Sequence, residues 1–209
     1  MCAHFIMIPK EELERIIADI HNDLKTEQRA QPAAAYPGTH PGTYPAAWPK
    51  SKVPVVVPQA SRLEIKTMQW GYPVSWQKAV VYNTRMETAL APKPSIWSDS
   101  VRNRRCLVPS LGFYEPHMTD SHPSPRTGKP VKDQYRFRLP DSDIVWMAGV
   151  FEDEHFSIMT TAPNQWMAKI HPRMPVVLLP DELDVWLHGA YATLADRTQI
   201  RLESIKEAS

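Results

Sequence analysis

Glycine is scarce in this chain, 7 residues in 209 against 21 prolines, and no Gly-rich phosphate loop or G-x-S-x-G nucleophile elbow occurs. Only two cysteines are present, Cys2 and Cys106, too far apart to form a motif, and there is no C-x-x-C and no H-E-x-x-H. A disulfide framework and a zinc site are thereby excluded. No apolar run approaches the roughly 18–20 residues of a membrane helix. A basic region followed by an apolar stretch, the mark of a secretory signal, is missing from the first residues. The formal net charge is only +1, which excludes a protein that coats nucleic acid by bulk electrostatics. These absences predict a cytoplasmic protein with reduced thiols, no membrane contact, no metal and no other cofactor.

What is present suits a packed core. Hydrophobic residues make up 43% and charged residues 22%, and 209 residues fit one domain spanning 1–209. From Lys10 to Leu24, Leu13, Ile16, Ile17, Ile20 and Leu24 recur at helical spacing behind Pro9 and the acidic pair Glu11 and Glu12, predicting an amphipathic helix. The Pro-, Gly- and Ala-rich stretch Gln31–Pro49 predicts an irregular loop. Short strands are expected over Val53–Val57, Leu63–Trp70, Ala79–Tyr82, Cys106–Tyr114, Gln134–Leu139, Ile144–Phe151, Phe156–Thr161 and Val176–Leu179. Short helices are expected over Met86–Leu90, Ala162–Ile170 and Asp181–His188, and an exposed hairpin loop over Thr119–Lys132. The fold class is α+β, many short, mainly antiparallel strands curled into a barrel with helices packed outside.

Five stretches carry chemistry. In MCAHF, loss of Met1 would leave Cys2 with a free α-amine and a thiol on one residue, a group that no internal cysteine supplies; a cysteine in second place by accident is the plainer reading. In MQWGYP, Trp70 offers either a core indole or a flat surface at a strand end. In YNTRMETA, Asn83 can cap the following helix, and Arg85 can pair with Glu87 on the surface. In LGFYEPH, Glu115 closes an apolar run; burial there would raise its pKa and suit it to general-acid work, whereas a strand-end surface glutamate needs no such role. In KIHPRMPVVL, His171 sits between a short helix and an apolar strand, which limits its exposure, and a hydrogen-bonded structural histidine is the plainer reading.

Taken in order and at these separations, MC, WGY, N-x-R-x-E-T, F-Y-E and I-H-x-R-x-P resemble the SRAP family, the SOS-response-associated peptidase proteins regarded as abasic-site processing proteins. The resemblance runs from Cys2 to about Leu179. It implies a monomeric DNA-damage protein that binds single-stranded DNA and crosslinks to abasic sites through Cys2, with nucleoid association at damaged DNA. It further implies autopeptidase removal of Met1, or removal by an aminopeptidase, and lyase activity. Glu115 and His171 would move protons, Asn83 would orient the Cys2 amine, and Arg85 and Arg173 would grip phosphates. Trp70 would stack on a base, and Thr161 would line the pocket. The family usually begins Cys-Gly-Arg, whereas this chain has Cys2-Ala3-His4, so phosphate binding at that position falls to His4. A thiol peptidase or amidohydrolase acting in trans through Cys2 is the alternative. The chemistry favours the amine: with a pKa of about 7.7–8.0, roughly a tenth or more of an α-amine is neutral at physiological pH, against on the order of a thousandth of a lysine.

Overall fold

The computed structural model describes residues 2–25, 44–60 and 62–207, so the expected loop over Gln31–Pro49 lies outside the described residues as far as residue 43. In chain order the elements are β1 (His4–Met7), α1 (Lys10–Lys25), β2 (Ala46–Ala47), β3 (Lys52–Gln59), β4 (Arg62–Trp70), β5 (Tyr72–Val74), β6 (Gln77–Val81) and β7 (Asn83–Arg85). There follow α2 (Met86–Ala89), α3 (Ser98–Asn103), β8 (Arg105–Pro123), β9 (Pro130–Arg138), β10 (Val145–Glu152) and β11 (His155–Thr161). The chain continues through β12 (Met174–Pro175), β13 (Val177–Leu178), α4 (Leu183–Leu187) and β14 (Glu203–Lys206). Strands dominate, in one large mixed sheet that curls into a partial ring.

Pairing explains the curl. β10 pairs with β11, β11 with β4, β4 with β3, β3 with β8, and β8 returns to β10. Most pairings are antiparallel, but β11 runs parallel to both β4 and β7. The apolar runs along these strands are almost continuous because both faces of the wall are buried. Val53, Val55, Val57, Cys106, Val108, Val145, Met147, Phe156 and Ile158 pack in the cluster inside the ring. Their neighbours Val56, Leu107, Trp146, Ala148 and Met159 face outward, into a second cluster with Leu13, Ile16 and Ile17 of α1 and Trp186 of α4. Alternation with period two thus fills two cores at once.

Several expectations are corrected. Ala162–Ile170 forms hydrogen-bonded turns rather than a helix. The Asn164 side chain caps these turns: its Oδ1 accepts from the Trp166 and Met167 amides, and its Nδ2 donates to the Ile200 carbonyl at 2.7 Å, while Pro172 directly after His171 disfavours continuing them as a helix. Thr119–Lys132 is mostly strand, because β8 extends to Pro123 and β9 begins at Pro130. Asp181–His188 divides into a 3-10 turn over Pro180–Glu182 followed by α4. Within β8 a bulge over Ser110–Gly112 shifts the register with β1. Gly112 adopts φ of 147°, and a Cβ there would lie 2.9 Å from the Phe137 carbonyl oxygen, so glycine is needed at this point.

Candidate active site

β1 lies beside β8 with His4 opposite Tyr114 and Phe5 opposite Phe113, which brings the two residues before β1, Cys2 and Ala3, toward the part of β8 that carries Glu115. Cys2 is fully buried in the cluster inside the ring. Its carbonyl accepts a 2.7 Å hydrogen bond from Asn83 Nδ2, across 81 positions of sequence. Asn83 is set by β7, whose parallel pairing puts it opposite Ile158 of β11. Asn83 Oδ1 is buried with no hydrogen-bond partner among the described residues, leaving an acceptor inside the site. His171 follows the turns after β11; its Nε2 stands 3.6 Å from Glu115 Oε2. The Met118 amide donates to the Ile170 carbonyl at 2.9 Å and pins this segment to β8.

The electrostatics follow from burial. Glu115 has no exposed surface, and its removal from water pushes the carboxyl up to about 7. His171 is moved down, first by burial, so the imidazole is neutral where Glu115 is half protonated. His171 Nδ1 lies 3.0 Å from the Arg173 carbonyl. A carbonyl only accepts, so Nδ1 carries the proton and Nε2 presents a lone pair toward Glu115. The Arg173 amide also approaches Nδ1, at 3.3 Å, and yields to that shorter contact. The Cys2 thiol is raised well above its ordinary value, first by burial and then by the charge of Glu115. It donates to the His4 carbonyl at 3.8 Å. The arrangement is a buried acid, a neutral imidazole and a protonated thiol around one backbone segment, suited to passing protons rather than to holding a thiolate.

The other predicted residues divide. Arg85 is exposed at the end of β7, open to an anion. Arg173 is already engaged: Nη1 and Nη2 donate to Glu87 Oε1 and Oε2 at 2.8 and 3.0 Å, and Nη2 donates to the Thr160 carbonyl at 2.9 Å. The surface partner of Glu87 is therefore Arg173, not Arg85. Trp70, expected to stack on a base, has no exposed surface. Its ring lies 4.9 Å from Phe5 and 6.3 Å from Phe156, and its Nε1–H donates to the Tyr82 carbonyl at 2.8 Å. It builds the wall behind the site. Thr161 is buried and spends its hydroxyl proton on the Ala195 carbonyl at 2.6 Å, tying β11 to the outer layer instead of lining the cluster. His4 does not stand free for a phosphate. Its ring is stacked between Trp48 at 3.9 Å and Tyr114 at 4.1 Å, and burial lowers its pKa.

Tyr82 was not singled out by the sequence, yet its hydroxyl is raised by burial and by the nearby charges of Glu115 and Cys2, so it borders the site. Its place directly before Asn83 was the available signal. Two surface hollows, of about 380 and 160 Å³, are lined by α1 with β4 and by α1 with β8 and β9. Neither includes Cys2, Glu115 or His171. With Cys2 and Glu115 both sealed, a substrate reaches them only after what covers them moves aside.

Comparison with known proteins bears on this arrangement. The chain is similar to the abasic site processing protein YoqW of Bacillus subtilis, 31% identical over 147 residues, covering 64% of this chain and 61% of YoqW. It is also similar to YoaM of the same organism, 30% identical over 147 residues and covering 64% and 60% of the two chains. It thus spans about three fifths of the length of these curated relatives. A solved structure of a Bordetella bronchiseptica protein covers 100% of both chains with a TM-score of 0.67 at 19% identity, and so shares the fold. The family described as SOS response associated peptidase matches residues 1–208, and the chain belongs to that family, SRAP.

Proposed function

We propose that the protein captures abasic sites in single-stranded DNA as a covalent thiazolidine on Cys2, after Met1 has been removed. The open form of an abasic sugar carries an aldehyde. The neutral Cys2 amine adds to its carbon to give a carbinolamine, and protonation of the hydroxyl expels water to leave an imine. The thiol sulfur then adds to the imine carbon while its proton passes to nitrogen, closing a five-membered ring. Glu115, held protonated to about pH 7, supplies the proton for sugar opening and for loss of water. His171 Nε2, 3.6 Å away, takes that proton up and returns it. Asn83 fixes the Cys2 backbone and offers Oδ1 to the amine.

The observation that carries this reading is the gathering of Cys2, Asn83, Glu115 and His171 at one buried point, with the acid raised and the imidazole lowered. The raised thiol weighs against a hydrolase acting in trans, which needs a depressed thiol beside an imidazolium. Removal of Met1, by attack of the same thiol or by an aminopeptidase, prepares the amine.

The test is an intact-mass measurement of the purified protein with and without single-stranded DNA carrying an abasic site. The expected result is loss of Met1 and a heat-stable adduct equal to protein plus DNA minus water, absent in Cys2→Ala. Retention of Met1 with no adduct overturns the proposal. Cys2→Ser retains the amine and should give only an adduct trapped by borohydride.

A further inference from the structure

Trp48, His4 and Tyr114 form a tier of three parallel rings. Trp48 stacks on His4 at 3.9 Å and 11°, and His4 stacks on Tyr114 at 4.1 Å and 12°. The strand register creates it. β2 pairs with β1 through Ala47 opposite Phe5, so Trp48 falls opposite His4, and β1 places His4 opposite Tyr114 of β8. The next position across the sheet is Arg136 of β9, which closes the far side of the row. The near end is open, with Trp48 52% exposed.

A lone exposed tryptophan needs no explanation, but this one is held in place. The Trp48 amide donates to Ser51 Oγ at 3.1 Å, and the Ser51 amide donates back to the Trp48 carbonyl at 2.8 Å. Lys50 turns the chain with φ of 78°, and its amide donates to the Trp70 carbonyl at 2.7 Å. The indole is therefore presented on a turn bolted to the wall behind the active site. His4 and Cys2 are two residues apart, roughly 7 Å of extended chain, and the thiol reaches the His4 carbonyl. Trp48 stands one strand spacing, about 4.8 Å, further across the sheet, so its open face is offset from Cys2 by roughly 10 Å, on the order of two or three nucleotide steps along a strand.

We propose that the open face of Trp48, backed by His4 and Tyr114, is a stacking site for an unpaired nucleobase near the abasic residue. The inference rests on the capture of abasic DNA proposed above and adds which neighbour is held and how. Every base has a π-face, so the site takes any of the four and reads the presence of a base rather than its identity. His4 contributes ring surface and no positive charge, so the contact is insensitive to salt.

The test compares two single-stranded oligonucleotides, each with one abasic site: one with normal flanking bases, the other with base-free tetrahydrofuran residues on both sides. Half-saturating concentrations for adduct formation are measured for wild type, Trp48→Ala and Trp48→Phe, with thermal melting as the fold control. Removing the flanking bases should raise the wild-type value about 5- to 100-fold, change Trp48→Ala by no more than about 2-fold, and regain most of its effect in Trp48→Phe. Equal responses of wild type and Trp48→Ala overturn the stacking site while leaving capture intact. If wild type forms no adduct at all, the capture reading fails. The same comparison by equilibrium binding of the two oligonucleotides then decides the stacking site, with equal binding by wild type and Trp48→Ala counting against it.

Discussion

Glu115 is asked to stay protonated where most carboxyls are ionised, and burial sets the terms. The folded chain keeps this proton to about pH 7, whereas the unfolded carboxyl releases it near 4.5. Between those values the folded state binds more protons, so the Glu115 contribution to stability falls as pH rises through the window. Glu115→Gln should therefore melt higher than wild type above pH 7, by roughly 3 kcal/mol in stability, with the gap vanishing below about pH 4.5. Adduct formation should show a bell-shaped profile, rising as the Cys2 amine loses its proton and falling as Glu115 does, with the alkaline limb missing in the glutamine variant. A profile with no alkaline limb in wild type would remove Glu115 as the acid. Arg85→Ala should weaken capture of abasic DNA by about 1–3 kcal/mol, read from titrations at fixed salt. Cys2, Asn83, Glu115 and His171 could be named as candidates from the sequence because their short motifs, taken in order, resemble a family, although each motif alone admits a purely structural reading. The partner of Arg173 and the stacking of His4 were not, because Glu87 is 86 positions away and Trp48 is joined to His4 only through strand pairing.

At the scale of elements, β8 organises the molecule. Its 19 residues carry Arg105 at one end, the bulge at Ser110–Gly112, and then Tyr114 and Glu115 beside β1. Arg105 is 8% exposed, and its guanidinium donates to the Val101 and Leu187 carbonyls, each at 2.8 Å, and also to the carbonyls of Arg102 and Trp186. These are C-terminal carbonyls of α3 and α4, left without partners inside their own helices. One cation thus closes two helix ends, where the dipole favours positive charge. Arg105→Ala should cost at least about 3 kcal/mol by urea denaturation, and Arg105→Lys less, since a lysine keeps the charge but not the planar fork. Equal stability of Arg105→Ala and wild type would dismiss this role. The core strands and α1 could be read from their apolar spacing. The extension of β8 to Pro123 could not, because Thr119–Pro123 is polar and turn-prone and becomes strand only by pairing with β9. Ala162–Ile170 misled for the opposite reason: Trp166, Met167 and Ile170 have helical spacing and Asn164 caps the Trp166 and Met167 amides as it would cap a helix, but the chain stops at turns just before Pro172.

At the scale of the whole molecule, the return of β8 to β10 closes a ring from strands far apart in sequence. Alternation along each strand announces two buried faces but not which strand meets which, so a barrel was legible as a class and its order was not. Charge is nearly balanced at this scale, with a formal net charge of +1. Arg173 is occupied by Glu87, and His4 is held down by burial. Binding to single-stranded DNA should therefore depend weakly on salt, with a slope of log K against log salt of about −0.7, as one phosphate contact at Arg85 implies. A slope steeper than about −4 would reveal a cationic surface that this distribution of charge does not supply.

The complete enclosure of Cys2 has a practical corollary. A purification tag joined ahead of it would block the nitrogen that the proposed chemistry needs, at a residue with no exposed surface of its own. Affinity handles and fluorescent fusions belong at the opposite terminus, beyond β14, where the chain has already left the interior.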